Sequence, residues 1–560
     1  MPAARRRPVV LLVLALVSHG VDARAEVSWR LADPALQALA GRLAPTLQAN
    51  RKELHGRTGL VRGFGAGAVY PQIWLRDSAT LVPLSRFLYP RDHLDSWLVE
   101  HLAHQQDDGP LWDWIAAGEP AAFVKDAPRV QAVYRVGPVV ISADRNTTEA
   151  DQETSALEAA YQVFRITGDR AWLTSAVAGR PLVDRLDTAL SFLLRRRFSR
   201  RFGLVTNAFT ADWGDVSPAY GDQRAIYLDD KTPVVVGLYT NVLFLRAARD
   251  LEVLLDAAGR AARARFWAEQ ARRVQAATVR RFWRADRGFF RLHLVESAPA
   301  GWAPPEDGDV FALGGNAVAA LYVVADDPQA AAIFAAADER RRRFGVSTVA
   351  GTLLPPYPSG VFRHPILREP YTYQNGGQWD WFAGRLILAE FERGHAAAAR
   401  RQLGEIAARV ARGGGLREWA TREGAGRGSA AYAGSAGVLG AALIAGLFGV
   451  DLHDGRLDLT LRLAEEAGEL RLREPATGTE VTCASAYYAA SRTLRVSYSS
   501  GARGAGALRV RLPPGTRLAS AIVDGKPGSP KIETVGEDVY AALATAPGAH
   551  HLQLQLAVGR

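Results

Sequence analysis

From about residue 32 to residue 450, apolar residues recur at three- and four-residue spacing, the period of helices that bury one face. The pattern predicts helices over 32–54, 77–88, 91–105, 153–167, 180–197, 232–256, 258–284, 312–324, 327–342, 376–393, 395–412 and 429–448. Some carry end signals. Thr232 can cap a helix whose first position is Pro233, and Gly168 follows the 153–167 helix where a left-handed residue is wanted. After Gly455 the period changes to two. Leu457 to Leu461, Leu494 to Tyr498 and Leu552 to Leu556 alternate apolar and polar residues as half-buried strands do. Pro513-Pro514-Gly515 and Asp524-Gly525 punctuate them as turns. A dozen helices followed by short strands predict a mainly α protein with a small C-terminal β-sandwich-like domain.

Composition adds limits to that picture. The chain has 560 residues, 48% hydrophobic and 22% charged, which excludes a disordered, collagen-like or coiled-coil protein. Arg5, Arg6 and Arg7 precede an apolar run from Val9 to Val17, and Ala23-Arg24-Ala25 offers a small-x-small cleavage site. That is the order of a secretory signal peptide, and the run is too short for a permanent anchor. The expected organisation is therefore a signal peptide over 1–25, a helical domain over 26–455 and a β-domain over 456–560. An exported protein, periplasmic or secreted and bacterial, with no stable membrane anchor after cleavage, is the expected setting. The formal charge of +10 rests on scattered arginines, with no long basic block, so nucleic acid is not the expected partner. Cys483 is the single cysteine. It rules out an intramolecular disulfide and reads as a small buried hydrophobe.

The chemistry lies in polar, tryptophan-rich segments between the helices. These are Trp74-Leu75-Arg76-Asp77-Ser78-Ala79, Asp151-Gln152-Glu153, Ala211-Asp212-Trp213-Gly214-Asp215, Tyr373-Gln374-Asn375-Gly376-Gly377-Gln378-Trp379 and Arg417-Glu418-Trp419. Most set carboxylates or amides beside aromatic rings. Sugars need that combination, because planar polar groups bond hydroxyls in pairs while the apolar ring face stacks on indole. Each segment also has a plainer reading. Arg76–Asp77 suits a helix start, and Asp151-Gln152-Glu153 reads equally well as an acidic helix start or a sugar-contacting turn. His101 and His104, one turn apart and near Asp107 and Asp108, read as an exposed polar helix end, with a metal site as the alternative. Asp307-Gly308-Asp309 reads as a turn, since the later ligands of a calcium loop are missing. No cofactor or metal is expected.

At these segments the sequence resembles the six-hairpin glycosidases, which include glucoamylases, the amylo-α-1,6-glucosidase part of glycogen debranching enzymes and related disaccharide phosphorylases. The resemblance covers residues 60 to 450 in order and implies an (α/α)6 toroid whose loops at one end form a pocket. It implies that Arg76 and Asp77 hold hydroxyls of the terminal sugar, that Asp215 is the general acid and that Glu418 is the general base. Trp74, Asp212, Trp213, Glu153, Asn375, Trp379 and Trp419 complete the expected substrate contacts, with Asp212 an orienting carboxylate. The implied activity is exo-acting, inverting hydrolysis of a terminal sugar from an oligo- or polysaccharide. A glycoside phosphorylase and a non-catalytic glycan-binding or assembly protein on the same fold are the alternatives.

Overall fold

The computed structural model describes residues 27–118 and 131–559. The expected signal peptide lies outside the described residues. Thirteen helices follow in order: α1 (Pro34–Ala49), α2 (Leu75–Ser85), α3 (Asp92–Ala103), α4 (Gln152–Thr167), α5 (Arg170–Thr174), α6 (Leu182–Arg196), α7 (Leu238–Ala257), α8 (Ala261–Phe282), α9 (Leu313–Leu321), α10 (Asp327–Arg343), α11 (Asp380–Glu392), α12 (Ala396–Arg412) and α13 (Ala433–Ala441).

Packing sorts them into two layers. Helices α2, α4, α7, α9, α11 and α13 contact one another in that cyclic order and close into an inner ring, with α1, α3, α6, α8, α10 and α12 packed outside. This is the (α/α)6 toroid. Composition explains the sorting. Every residue of α13 (AGSAGVLGA) is buried, and so is nearly all of α9 (LGGNAVAAL), because a helix surrounded on all sides must be small or apolar all round. Helix α8 buries one stripe that includes Trp267, Ala271 and Val274 and turns its arginines outward. The inner ring also depends on glycine. A Cβ at Gly437 would stand 2.6 Å from the Thr80 carbonyl oxygen, and one at Gly440 would stand 2.9 Å from Leu84.

Short antiparallel strands join the helices at one end. Ile73–Trp74 leads into α2, Val234–Gly237 into α7 and Phe311–Ala312 into α9. Here the expected cap of Thr232 on a helix beginning at Pro233 is corrected. The β-branched run Val234-Val235-Val236 pairs with Asn207–Ala208 and His293–Ser297 as a strand, and the helix starts at Leu238. Gly168 does end α4, with φ of 63°.

The chain after α13 supplies six strands of a seven-stranded sheet and all of a five-stranded one, whose inward residues, such as Leu459, Val510, Leu472 and Leu554, share a core. Cys483 is buried there, and burial pushes its thiol up to about 12. Two features escape the pattern. Val27–Leu31, from the start of the chain, pairs antiparallel with Gly468–Glu474 of the larger sheet, and Arg456–Leu461 runs parallel to Ala507–Arg511. The two regions interlock tightly. Gly394, at φ of 78° between α11 and α12, leaves only 1.8 Å between an added Cβ and the Val535 carbonyl oxygen. Beside it, buried Asp538 accepts from the Ala396 amide at 2.9 Å and from Arg511 Nε at 2.5 Å.

Glycine in an exposed helix costs about 1 kcal/mol relative to alanine, so Gly41→Ala in α1, with nothing near its Cβ, should stabilise by about 0.5–1 kcal/mol. Gly437→Ala should do the reverse, because overpacking of about 1–3 kcal/mol outweighs the helical gain. Thermal melting of the two variants checks the opposite signs; a stabilised Gly437→Ala would show that the inner ring is not closed on backbone contact.

Candidate active site

All six inner helices begin at the same end of the ring as the joining strands, so their N-termini converge. Their N-cap residues are Trp74, Asp151, Gly237, Ala312, Trp379 and Tyr432, and among the described residues none caps its own helix with its side chain. Loop carbonyls take first amides instead: Asp113 from Leu75, Leu292 from Leu238, Thr352 from Leu313 and Ala66 from Ala433. Six positive helix ends therefore face one region, which favours anionic side chains there.

Glu418 sits on the strand Arg417–Ala420 of a hairpin with Gly426–Ala430, and it is 5% exposed. Tyr70 Oη donates to its Oε1 at 2.9 Å, and the Ser429 amide donates to Oε2 at 2.8 Å. Gly428, at φ of 66°, is needed because a Cβ would stand 2.5 Å from Oε2. Burial raises the Glu418 carboxyl above its ordinary value, the Ser429 amide and the Tyr70 hydroxyl lower it, and the charges of Asp215 and Asp77 raise it again. Asp215 is half-buried. Asn146 Nδ2 and Thr148 Oγ1 grip its backbone carbonyl at 2.9 and 3.0 Å. Its Oδ1 is shielded and makes no hydrogen bond among the described residues. Its charge acts on Glu418, Tyr70, Tyr373 and Glu149, so the two carboxylates expected to act as acid and base face one region.

Arg76 is the cation at the centre. Its Nη1 lies 2.7 Å from Glu149 and 3.2 Å from Asp151, and it donates to the Trp213 carbonyl at 3.1 Å. The guanidinium packs over the rings of Trp213 and Trp381 at 5.6 and 5.4 Å. Nη1 is thus taken by protein groups, while buried Nε makes no hydrogen bond among the described residues. Asp77 accepts from Tyr432 Oη at 3.0 Å, and burial pushes its carboxyl up to about 6, against the lowering effects of Arg76 and Tyr432. Buried Asp113 and Glu149 are raised well above the ordinary range, again by burial first.

Two further expectations change, those for Glu153 and Asn375. Glu153 is fully buried, with Arg145 bonding both oxygens and the Leu111 amide bonding Oε1, so it ties α4 to the neighbouring loop. Asn375 is saturated by the Tyr357 amide, the Tyr357 carbonyl and the Leu367 carbonyl. Asp212, at φ of 62°, turns its carboxylate to the Gly315 amide at 3.1 Å, and burial pushes it up to about 7. These residues shape the site from behind. Trp213 and Trp379 are also fully buried and meet edge to face at 4.7 Å, forming a wall. Trp74 and Trp419 are half-buried; Tyr70 packs on Trp74 at 6.3 Å, and Tyr373 on Trp419 at 6.4 Å. His101 and His104 are buried, not an exposed helix end: His101 Nδ1 meets the Trp97 carbonyl, and His104 Nε2 meets Glu100 at 2.7 Å.

Sequence reasoning missed Tyr70, Asp113, Glu149, Ser429 and Tyr432. Asp113 alone had a signal, since Trp112-Asp113-Trp114 repeats the pattern of a carboxylate beside aromatic rings.

Residues 70–435 match the family described as the mannosylglycerate hydrolase MGH1-like glycoside hydrolase domain, and the chain belongs to that family. No curated protein matches the sequence. Among solved structures the chain is similar to the α-L-rhamnosidase from Dictyoglumus thermophilum, with 11% identity and a TM-score of 0.59 over 95% of this chain and 50% of that one. It is similar to the Streptomyces avermitilis α-L-rhamnosidase complexed with L-rhamnose, with 11% identity and a TM-score of 0.56 over 95% of this chain and 42% of that one. The GH63 mannosylglycerate hydrolase from Thermus thermophilus in complex with Tris gives 16% identity and a TM-score of 0.50 over 72% of this chain and 99% of that one. The chain spans about half the length of these rhamnosidases or less, and the likenesses establish the toroid fold.

The Tyr70 hydroxyl stabilises the charged form of Glu418, so Tyr70→Phe should raise that carboxyl further. If Glu418 must be ionised to act, the acidic limb of the kcat/KM profile should move to higher pH in the variant, with activity above the limb falling less than about tenfold. An acidic limb at the same pH in both enzymes would separate Tyr70 from the titrating group.

Proposed function

We propose that the chain is an exo-acting glycoside hydrolase that removes a terminal sugar from an oligo- or polysaccharide with inversion at the anomeric carbon. Asp215 protonates the departing glycosidic oxygen, and Glu418 takes a proton from the water that attacks the opposite face of the sugar. The observation that supports this reading is that Asp215 and Glu418, from distant segments, lie near enough for the charge of Asp215 to raise the Glu418 carboxyl. Glu418 fits the base because two donors hold its carboxylate in one orientation. Asp215 fits the acid because its backbone is gripped while its carboxyl is left for a ligand. Half-buried Trp74, Trp419 and Tyr373 supply ring faces for the sugar, and Asp77 is the carboxylate best placed to bond its hydroxyls.

The family name suggests the substrate to test first, a terminal mannoside with a small acidic aglycone. Export to the periplasm or the medium belongs to the same proposal and rests on the N-terminal segment, which lies outside the described residues.

An inverting site leaves room for water between the two carboxyls, roughly 6.5–9.5 Å against about 5 Å for double displacement. Asp215→Asn and Glu418→Gln should each lower kcat by at least about a hundredfold with little change in KM, since both groups act in the transition state. Proton NMR of the first-formed anomer should show inversion, and release of reducing sugar should not depend on phosphate. Retention of configuration, or full activity in Glu418→Gln, would overturn the assignment; phosphate dependence would favour the phosphorylase.

A further inference from the structure

The solvent face of the seven-stranded sheet carries a trough of about 610 Å³, remote in sequence from every residue of the candidate active site. Its shape follows from register. Ala484 stands opposite Ser497, which stands opposite His551, while Ala486 stands opposite Arg495, which stands opposite Gln553. Ala484, Ala486 and Ser497 form a floor of small side chains in the middle of a wide exposed sheet. Alanine is a poor strand former, so its use at two central outward positions favours depth over strand propensity.

The walls are long and basic. Arg30 and Arg471 rise on one side and Arg495 on the other, and all three are exposed. Arg30 lies 3.6 Å from Glu469, the one acid in the lining, while Arg471 and Arg495 have no acidic partner among the described residues. Tyr488 closes one end, and the Arg495 guanidinium lies over its ring at 5.0 Å. Ser497, Thr482 and Gln553 add neutral hydrogen-bonding groups.

We infer that this trough binds an acidic glycan, a short run of sugars bearing carboxylates, as a site separate from the catalytic one. The volume suits a few sugar rings. Arginine presents a planar fork that matches a carboxylate, and the two unpaired arginines stand on opposite sides of a floor offering hydroxyl and amide partners. A neutral glycan would call for open aromatic platforms, but the single tyrosine is already covered by Arg495. Single-stranded nucleic acid would call for successive aromatic rings along a basic groove, and the trough has none.

The test uses the full-length chain with Glu418→Gln, so that turnover does not consume the probe. Hexagalacturonate titrated calorimetrically should bind one to one, more weakly as salt is raised. Arg471→Gln with Arg495→Gln should weaken binding at least tenfold, and Ser497→Trp, which fills the floor, should do the same while the melting temperature holds. Arg272→Gln with Arg273→Gln removes the same charge from the exposed face of α8 and should change nothing. No binding, equal binding of maltohexaose, tighter binding of an oligonucleotide, or equal loss in the α8 variant would each overturn the inference. These readouts come from the sheet variants, so a failure of the hydrolase reading would leave them standing.

Discussion

Closing six parallel inner helices into one ring forces six helix N-termini to the same end, and the rest of the site answers that constraint. Each positive end stabilises a nearby anion by about 0.3–1 kcal/mol, up to about 2 in partly buried settings. Ionised carboxylates taken out of water cost several kcal/mol each. With Asp77, Asp113, Glu149 and Asp151 gathered around Arg76, burial and mutual repulsion work against the helix ends. The cost shows as raised proton affinity. Asp77 rises to about 6, and Asp113 and Glu149 rise well above the ordinary range. Carboxylates set apart in proton affinity by their surroundings are the raw material of acid and base chemistry.

The same crowding divides labour among residue types. Arg76 is the group that lets Glu149 and Asp151 stay near each other, and its planar cation also fits between Trp213 and Trp381. A lysine could replace its charge but not the ring contacts. The fully buried tryptophans form the back wall, leaving the half-buried rings of Trp74, Trp419, Tyr70 and Tyr373 at the working surface.

The division into helices and later strands was legible because the two differ in period, with a switch near Gly455, while the toroid was implied by the resemblance of the polar segments. Two things were not legible. Val27–Leu31 joins a sheet whose other strands begin more than four hundred residues later, and local periodicity carries no information about such pairing. Val234–Gly237 continues an apolar run into α7, so strand and helix share one hydrophobic stretch with no break to divide them. The segments holding the site were found because carboxylates beside tryptophans are uncommon. Roles within them were harder to read. Glu153 and Asn375 are the right residue types for sugar contact, but burial commits them to protein partners. Tyr70 and Tyr432 carry no local mark, because what distinguishes them is the acid each meets from a distant segment.

Acid and base candidates both sit on loops anchored through backbone atoms, and this bears on how the frame carries its chemistry. The segment bearing Asp215 is fixed on one side by Asp212, whose carboxylate is held by an amide in the first turn of α9, and on the other by Asn146 and Thr148 at the Asp215 carbonyl. A non-glycine residue at positive φ costs of order 1 kcal/mol, and aspartate tolerates it better than most. At Asp212 that conformation turns the carboxylate into the ring while the chain continues outward to Asp215. The hairpin bearing Glu418 repeats the solution with Gly428, whose missing side chain lets the Ser429 amide reach Glu418. Positions set by helix ends and amides survive wide change in the surrounding side chains. The frame therefore holds Asp215 and Glu418 in place through backbone atoms, the carbonyl of Asp215 and the amide of Ser429.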